Sequence, residues 1–198
     1  MDKQKEFFNI AAFSWDEVCR HDMEKVEGIL DLVNIEKGSH VLDVGTGTGV
    51  LVPSLSRRVA ESGQIKAVDI ADKMIEVAKR KNKFENVIFS CEDVLAVASD
   101  ELSYDHILCY SMFPHFKNKK EAIEKLKAKL KVGGKLTICH SQTRDEINRL
   151  HQRKGEAVKK DILPSKEEFI QMFSEALLKP VITIDDHEKF VMIAVREH

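Results

Sequence analysis

Val41-Leu-Asp-Val-Gly-Thr-Gly-Thr-Gly-Val50 is the stretch whose reading decides the fold of this chain. An apolar run meets three glycines at alternate positions, Gly45, Gly47 and Gly49, with one acid, Asp43, just ahead of them. This reads as a buried strand emptying into a loop where backbone N–H groups can approach a ligand closely, because no Cβ stands in the way. A dinucleotide fingerprint would need its third glycine at position 50, where this chain has Val50. Asp43 would also repel a pyrophosphate. A positively charged ligand with an amino-acid head suits the loop better. A second apolar run, Ile65 to Val68, ends in Asp69, which can accept both hydroxyls of a ribose, and an amphipathic helical pattern follows it.

Loop, strand-end acid and spacing together resemble the nucleotide-binding core of the class I S-adenosylmethionine-dependent methyltransferases. Within them the chain is similar to small-molecule members of the domain type 11 and 25 kind. The resemblance covers roughly Val41 to Val195, and what it implies depends on the pattern around it.

Helix and strand patterns alternate almost from end to end. Helical periodicity runs from residue 16 to 32 and stops near Gly38. Strand 39–44, helix 49–60, strand 65–69, helix 72–82 and strand 87–90 follow, then a short helix near 95–100. Strand 104–110, helix 118–131 and strand 135–140 come next, with Gly133-Gly134 as the turn signal between the last two. Helices at 143–151 and 165–177 precede two close-set strands, 180–185 and 188–195. Such alternation predicts an α/β fold with a mostly parallel sheet covered on both faces. The final hairpin adds one antiparallel strand, so the expected architecture is a Rossmann-like seven-stranded sheet. The expected organisation is a single domain: an N-terminal lid and helix (1–38), a cofactor-binding core (39–140), and substrate-side helices with the C-terminal hairpin (141–198).

Composition narrows the function. At 198 residues and 43% hydrophobic content the chain can bury a sizeable core, and a net charge of −2 gives no pull toward nucleic acid. Cys19, Cys91, Cys109 and Cys139 show no CxxC pairing, which argues against a zinc knuckle or a disulfide scaffold. No apolar signal region and no stretch of about 20 apolar residues is visible, so a soluble, cytoplasmic protein without membrane contact is expected, as monomer or homodimer. Lys117 to Lys131 is lysine-rich but carries the stripe Ile123, Leu126, Leu130, the mark of an ordinary amphipathic helix.

In open parallel sheets, ligands bind beyond the carboxyl ends of the strands, so each exit supplies candidates. With S-adenosylmethionine as the implied cofactor, the expected binding residues are Asp43, Gly45, Thr46, Gly47, Gly49, Asp69, Ile70, Met74, Asp93, Val94 and Tyr110. The resemblance gives Asp93 the adenine amino group, with Val94 flanking the ring. The exit of strand 104–110, Ser111-Met-Phe-Pro-His-Phe116, would border both the sulfonium and the methyl acceptor, and its aromatic and thioether groups suit such charge. Met112 and Phe113 could equally pack on the next helix. His140 at the exit of strand 135–140, or His115, is the candidate general base, since an imidazole near its working pKa can take a proton from O–H, N–H or S–H.

If helical from Thr143, the segment after His140 puts Arg144, Asn148 and His151 on one face, a candidate substrate-binding set or a solvated surface. His115, His140 and His151 could also converge on a metal, but their spacing matches no metal signature and none is expected. Phe8-x-x-x-Ala12-x-x-Trp15-Asp16 is similar to a segment that folds over the cofactor as a lid in the ubiquinone-biosynthesis and small-molecule groups, with Trp15 on the substrate side. Phe7, Phe8 and Trp15 could instead pack the first helix onto the sheet. The expected activity is methyl transfer to a small-molecule acceptor. A non-catalytic cofactor-binding sensor and an RNA or protein methyltransferase are the alternatives. The latter is disfavoured because the strand exit reads Cys109-Tyr-Ser-Met112 and not Asn-Pro-Pro-Tyr.

Overall fold

The computed structural model describes residues 3–97, 103–154 and 156–198. In chain order the elements are α1 (Lys3–Ala11), a 3-10 turn (Ala12–Ser14), α2 (Trp15–Val18), α3 (Met23–Val33), β1 (His40–Val44), α4 (Val52–Val59), β2 (Gln64–Asp69) and α5 (Asp72–Lys81). Then follow β3 (Val87–Cys91), β4 (Tyr104–Tyr110), a 3-10 turn (Phe113–His115), α6 (Lys119–Lys129), β5 (Leu130–His140), α7 (Arg144–Arg153), α8 (Lys166–Glu175), β6 (Leu178–Asp185) and β7 (Phe190–Arg196).

The strands form one seven-stranded sheet in the order β3-β2-β1-β4-β5-β7-β6. Neighbours from β3 to β5 run parallel, and β7 is antiparallel to both β5 and β6. The order reverses between β1 and β4, which leaves a crevice at their carboxyl ends, the usual ligand site of such sheets. Both faces are buried, because successive strand residues point to opposite sides. Leu42, Ile107, Cys109, Ile138 and Met192 pack with Ile123 and Leu126 of α6 and Phe169 and Phe173 of α8. Val41, Leu108, Tyr110, Cys139 and Val191 pack with Val26, Ile29 and Leu30 of α3 and Leu55 of α4.

Four boundaries depart from the sequence expectation. The helix expected over 16–32 breaks at Cys19–Asp22, because the Asp22 side chain accepts from the Lys25 backbone N–H at 3.2 Å and starts α3 afresh. Residues 3–11, left without an element by periodicity, form α1. It presents no single apolar stripe: Phe8 packs inward with Ala12 and Trp15 against Met74 and Val77 of α5, while Ile10 points out. Strand β5 begins at Leu130 and not at 135, with an irregular register opposite Tyr104 to His106. Of the short helix expected near 95–100, residues 98–100 lie outside the described residues, and 94–96 form a turn. Among the described residues no helix is long and apolar enough to cross a membrane.

Candidate active site

A cavity of about 430 Å³ opens at the β1/β4 switch point. Its floor is the glycine loop. Gly45, Gly47 and Gly49 all have positive φ (64°, 56° and 83°), a conformation that side chains rarely adopt. At Gly45 space forbids a side chain as well, since a Cβ would lie 2.7 Å from the Met112 Cβ. The Thr46 backbone N–H donates to Val68 O at 2.9 Å and ties the loop to the exit of β2. There Asp69 accepts from the Gly47 N–H on one oxygen and the Ala71 N–H on the other, both at 2.9 Å. These two bonds aim the carboxylate and hold it against burial, which pushes its pKa up.

Asp43 lies behind the loop, 2% exposed, and accepts from the Thr46 hydroxyl at 2.6 Å. Burial pushes its pKa up to about 7; the Thr46 bond opposes the rise and the Asp69 charge adds to it. At the exit of β3, Asp93 accepts from the Leu95 N–H at 2.9 Å, and Asp93, Val94 and Leu95 line the cavity. At the exit of β4, Ser111 holds a left-handed backbone (φ 54°) and donates its N–H to Cys139 O at 2.9 Å, which turns Met112 and His115 toward the cavity.

Of the residues expected to bind cofactor, Gly45, Thr46, Gly47, Asp69, Ile70, Met74, Asp93, Val94 and Tyr110 share this one wall; Asp43 and Gly49 sit behind it. Trp15 and Met112 line it too, Trp15 edge-on to Phe8 with ring centroids 5.6 Å apart.

The three histidines lie near one another, with the His115 and His151 ring centroids 5.0 Å apart, but they do not share the cavity wall. His115 lines the cavity, and its Nδ1 lies 2.7 Å from Asp161 Oδ2. His140 does not line it: the ring is 1% exposed, neither nitrogen has a partner among the described residues, and burial lowers its pKa to about 3 with His151 and His115 adding to the fall. A base there would have no route to an acceptor. Arg144, Asn148 and His151 also lie off the wall. Arg144 Nε donates to Asp185 Oδ2 at 2.9 Å, Asn148 brackets the backbone of Leu163, and His151 Nδ1 lies 2.6 Å from Asp161 O. Asn148 and His151 thus clamp the chain ahead of α8, Arg144 holds the end of β6, and none of the three lines the cavity. Among the described residues no three His, Cys, Asp or Glu side chains are arranged to hold a metal ion.

Residues that sequence reasoning missed complete the other end. His21, in the break between α2 and α3, places Nδ1 2.8 Å from the Tyr110 hydroxyl, itself 2.8 Å from Ser141 Oγ. Gln4, from α1, donates to Asp161 Oδ2 at 3.0 Å and to His115 O at 3.3 Å. No local motif marks these residues; contacts across 89 and 157 positions bring His21 and Gln4 to their partners.

A glycine floor, a strand-end acid aimed by two amides, a second acid at the next exit and the aromatic pair Phe8 and Trp15 on a parallel sheet with one reversed strand define the class I S-adenosylmethionine-dependent methyltransferase fold and its site. Residues 35–182 match the methyltransferase domain family, and the chain belongs to that family. Among curated relatives it is 29% identical over 155 residues to a malonyl-[acyl-carrier protein] O-methyltransferase of Bacillus anthracis, covering 75% of this chain and 57% of the relative. It is 33% identical over 102 residues to a ubiquinone biosynthesis O-methyltransferase of Coxiella burnetii, covering 50% of this chain and 42% of the relative. The chain thus spans about half the length of these relatives. Its fold matches a chain of the complex between the Haloferax volcanii Trm112 methyltransferase activator and its methyltransferase, with TM-score 0.79, 18% identity and coverage of 100% and 99% of the two chains. A SAM dependent methyltransferase from Aquifex aeolicus gives TM-score 0.69, 23% identity and coverage of 98% and 97%.

Proposed function

We propose that this protein transfers the methyl group of S-adenosylmethionine to a small-molecule acceptor, in one domain made of lid (1–38), cofactor core (39–140) and substrate-side region (141–198). The observation that carries the reading is a single cavity holding both the cofactor-type wall, from the glycine loop to Asp93, and a second end framed by Phe8, Trp15, His21 and His115. When bound, the cofactor supplies a methyl group on a positively charged sulfur.

This chain's residues would bind, orient and exclude water. Asp69 would take the ribose hydroxyls, Asp93 the adenine amino group, and the glycine-loop amides the amino-acid head. Asp43 would balance positive charge from beneath. Holding the two reactants in line supplies most of the rate, since in-line displacement needs no covalent intermediate. His115, not His140, is the candidate proton acceptor, because of these two only His115 touches the cavity. α1 and Trp15 close the acceptor end, which restricts the acceptor to a small molecule or the tip of a larger one. The relatives named as O-methyltransferases support an oxygen nucleophile.

Calorimetric titration with S-adenosylmethionine, repeated with NADH, tests the reading. The expected result is micromolar binding of the first and none of the second, followed by S-adenosylhomocysteine formation when hydroxyl-bearing acceptors are added. Absence of binding would overturn it. Binding without turnover on any acceptor would favour a cofactor sensor instead.

A further inference from the structure

The face of α7 that carries Asn148 and His151 packs on the connector between α7 and α8, and the connector carries Asp161. Asn148 accepts from the Leu163 N–H at 2.8 Å and donates to Leu163 O at 3.2 Å, so its amide fixes that peptide from both sides. His151 Nδ1 sits 2.6 Å from Asp161 O and fixes the connector two residues earlier. Leu163 is fully buried in the core against which α8 packs. The Asp161 side chain is thereby brought up behind His115, which lines the cavity, from a segment with no regular structure of its own.

There Asp161 Oδ2 meets two groups, His115 Nδ1 at 2.7 Å and the Gln4 amide at 3.0 Å. The His115 ring is held on its faces as well: Phe8 lies edge-on at 5.1 Å and the His151 ring at 5.0 Å. A carboxylate is an acceptor only, so the bond to Asp161 requires the proton of neutral His115 to sit on Nδ1. Nε2 is then the basic nitrogen.

We propose that Asp161 is the positioning residue of this site: it fixes the Nδ1–H tautomer of His115 and leaves Nε2 as the proton acceptor for an acceptor bearing O–H, S–H or N–H. The inference rests on the reading of His115 as the base. In the step it serves, the acceptor's X–H proton goes to Nε2 and the electron pair on X forms the bond to the methyl carbon. The carbon–sulfur bond breaks with its pair left on sulfur, and Asp161 balances the imidazolium that results. Lys117 and Lys125 line the same cavity, and Lys154 Nζ lies 5.4 Å over the Trp15 ring.

The test is nitrogen-15 NMR of the histidine ring nitrogens in full-length protein saturated with S-adenosylhomocysteine. His115 is assigned by the signals lost in His115→Gln. The wild type is expected to show His115 as Nδ1–H. Asp161→Ala should turn the major form into Nε2–H, the other histidine signals keeping their places. If Asp161→Ala fails to fold, Asp161→Leu removes the acceptor at similar volume and serves as the second variant. Nε2–H in the wild type, or an unchanged tautomer in a folded Asp161 variant, would overturn the proposal. The readout needs no acceptor and no turnover, so that outcome leaves methyl transfer standing. Failure to bind cofactor would sink the methyl-transfer reading by itself.

Discussion

Asp43 keeps its carboxyl where there is almost no solvent and where a single hydroxyl, that of Thr46, donates to it. Because burial lifts its folded pKa to about 7, above the unfolded value, its proton stabilises the fold fully below the ordinary Asp range, and that contribution is lost as pH climbs through about 7. The unliganded protein should therefore melt lower at pH 8 than at pH 6, and Asp43→Asn should remove much of that difference. By linkage the whole loss, from below pH 4 to above pH 7, is at most roughly 4 kcal/mol, of which about 1.4 kcal/mol falls between pH 6 and pH 8. Equal pH dependence of melting in both proteins would contradict this. Cofactor binding has the opposite sign: a cationic ligand favours the carboxylate, so affinity should rise from pH 6 to pH 8 with release of a proton, read as a buffer-dependent binding enthalpy. Asp69→Ala should weaken cofactor affinity by about 50-fold or more, as hydrogen bonds to a charged group are worth about 1.5–3 kcal/mol each. An unchanged calorimetric Kd would remove Asp69 from the site. Both aspartates were legible in the sequence because a strand-end acid beside a glycine loop is a local pattern. His140 misled because position along a strand gives its exit but not the depth of its ring.

At the scale of elements, α3 and α4 are locked by Glu27. Its carboxylate accepts from the Ser54 hydroxyl, and from Arg57 Nη2 and Arg58 Nη1 at 2.6 Å each. The Ser54 bond first, then Arg58, hold its pKa down at about 2, so this contribution is present above the usual Glu range and lost as pH falls through about 2. With the side chain 34% exposed, solvent screens part of the gain. Glu27→Ala should cost about 1–2 kcal/mol at neutral pH in denaturant unfolding, with the slope unchanged. A cost near zero would make the cluster a surface ornament. Most elements were legible from periodicity, and two boundaries had readable signals, Thr143-x-x-Glu146 and Ser165-x-x-Glu168, each a reciprocal cap in the structure. α1 was not legible, since its inward and outward faces are both partly apolar.

At the scale of the whole molecule, the cavity joins the proposed lid and four strand exits, and the connector between α7 and α8 reaches it through the contact of Asp161 with His115, so a bound ligand should tighten all of them together. Trp15 is the sole tryptophan and lines the cavity, which makes its fluorescence a direct report of occupancy. Saturation with S-adenosylhomocysteine should shift that emission and raise the melting temperature, the stabilisation reaching about 2.7 kcal/mol at a hundred-fold excess over Kd. A thermal shift without any change in Trp15 emission would place the lid away from the ligand.

The sequence by itself determined the α/β alternation, the antiparallel ending, the glycine floor and the acids at three strand exits. Each of these is written in neighbouring residues, through backbone conformation, side-chain periodicity or a carboxylate at the end of an apolar run. Only the tertiary structure decided which histidine faces the ligand and what Arg144, Asn148 and His151 hold. The contact between His115 and Asp161 spans 46 positions and joins a 3-10 turn to a segment without regular structure. No local preference encodes such a pairing; it depends on Asn148 and His151 of α7 holding the connector at Leu163 and Asp161.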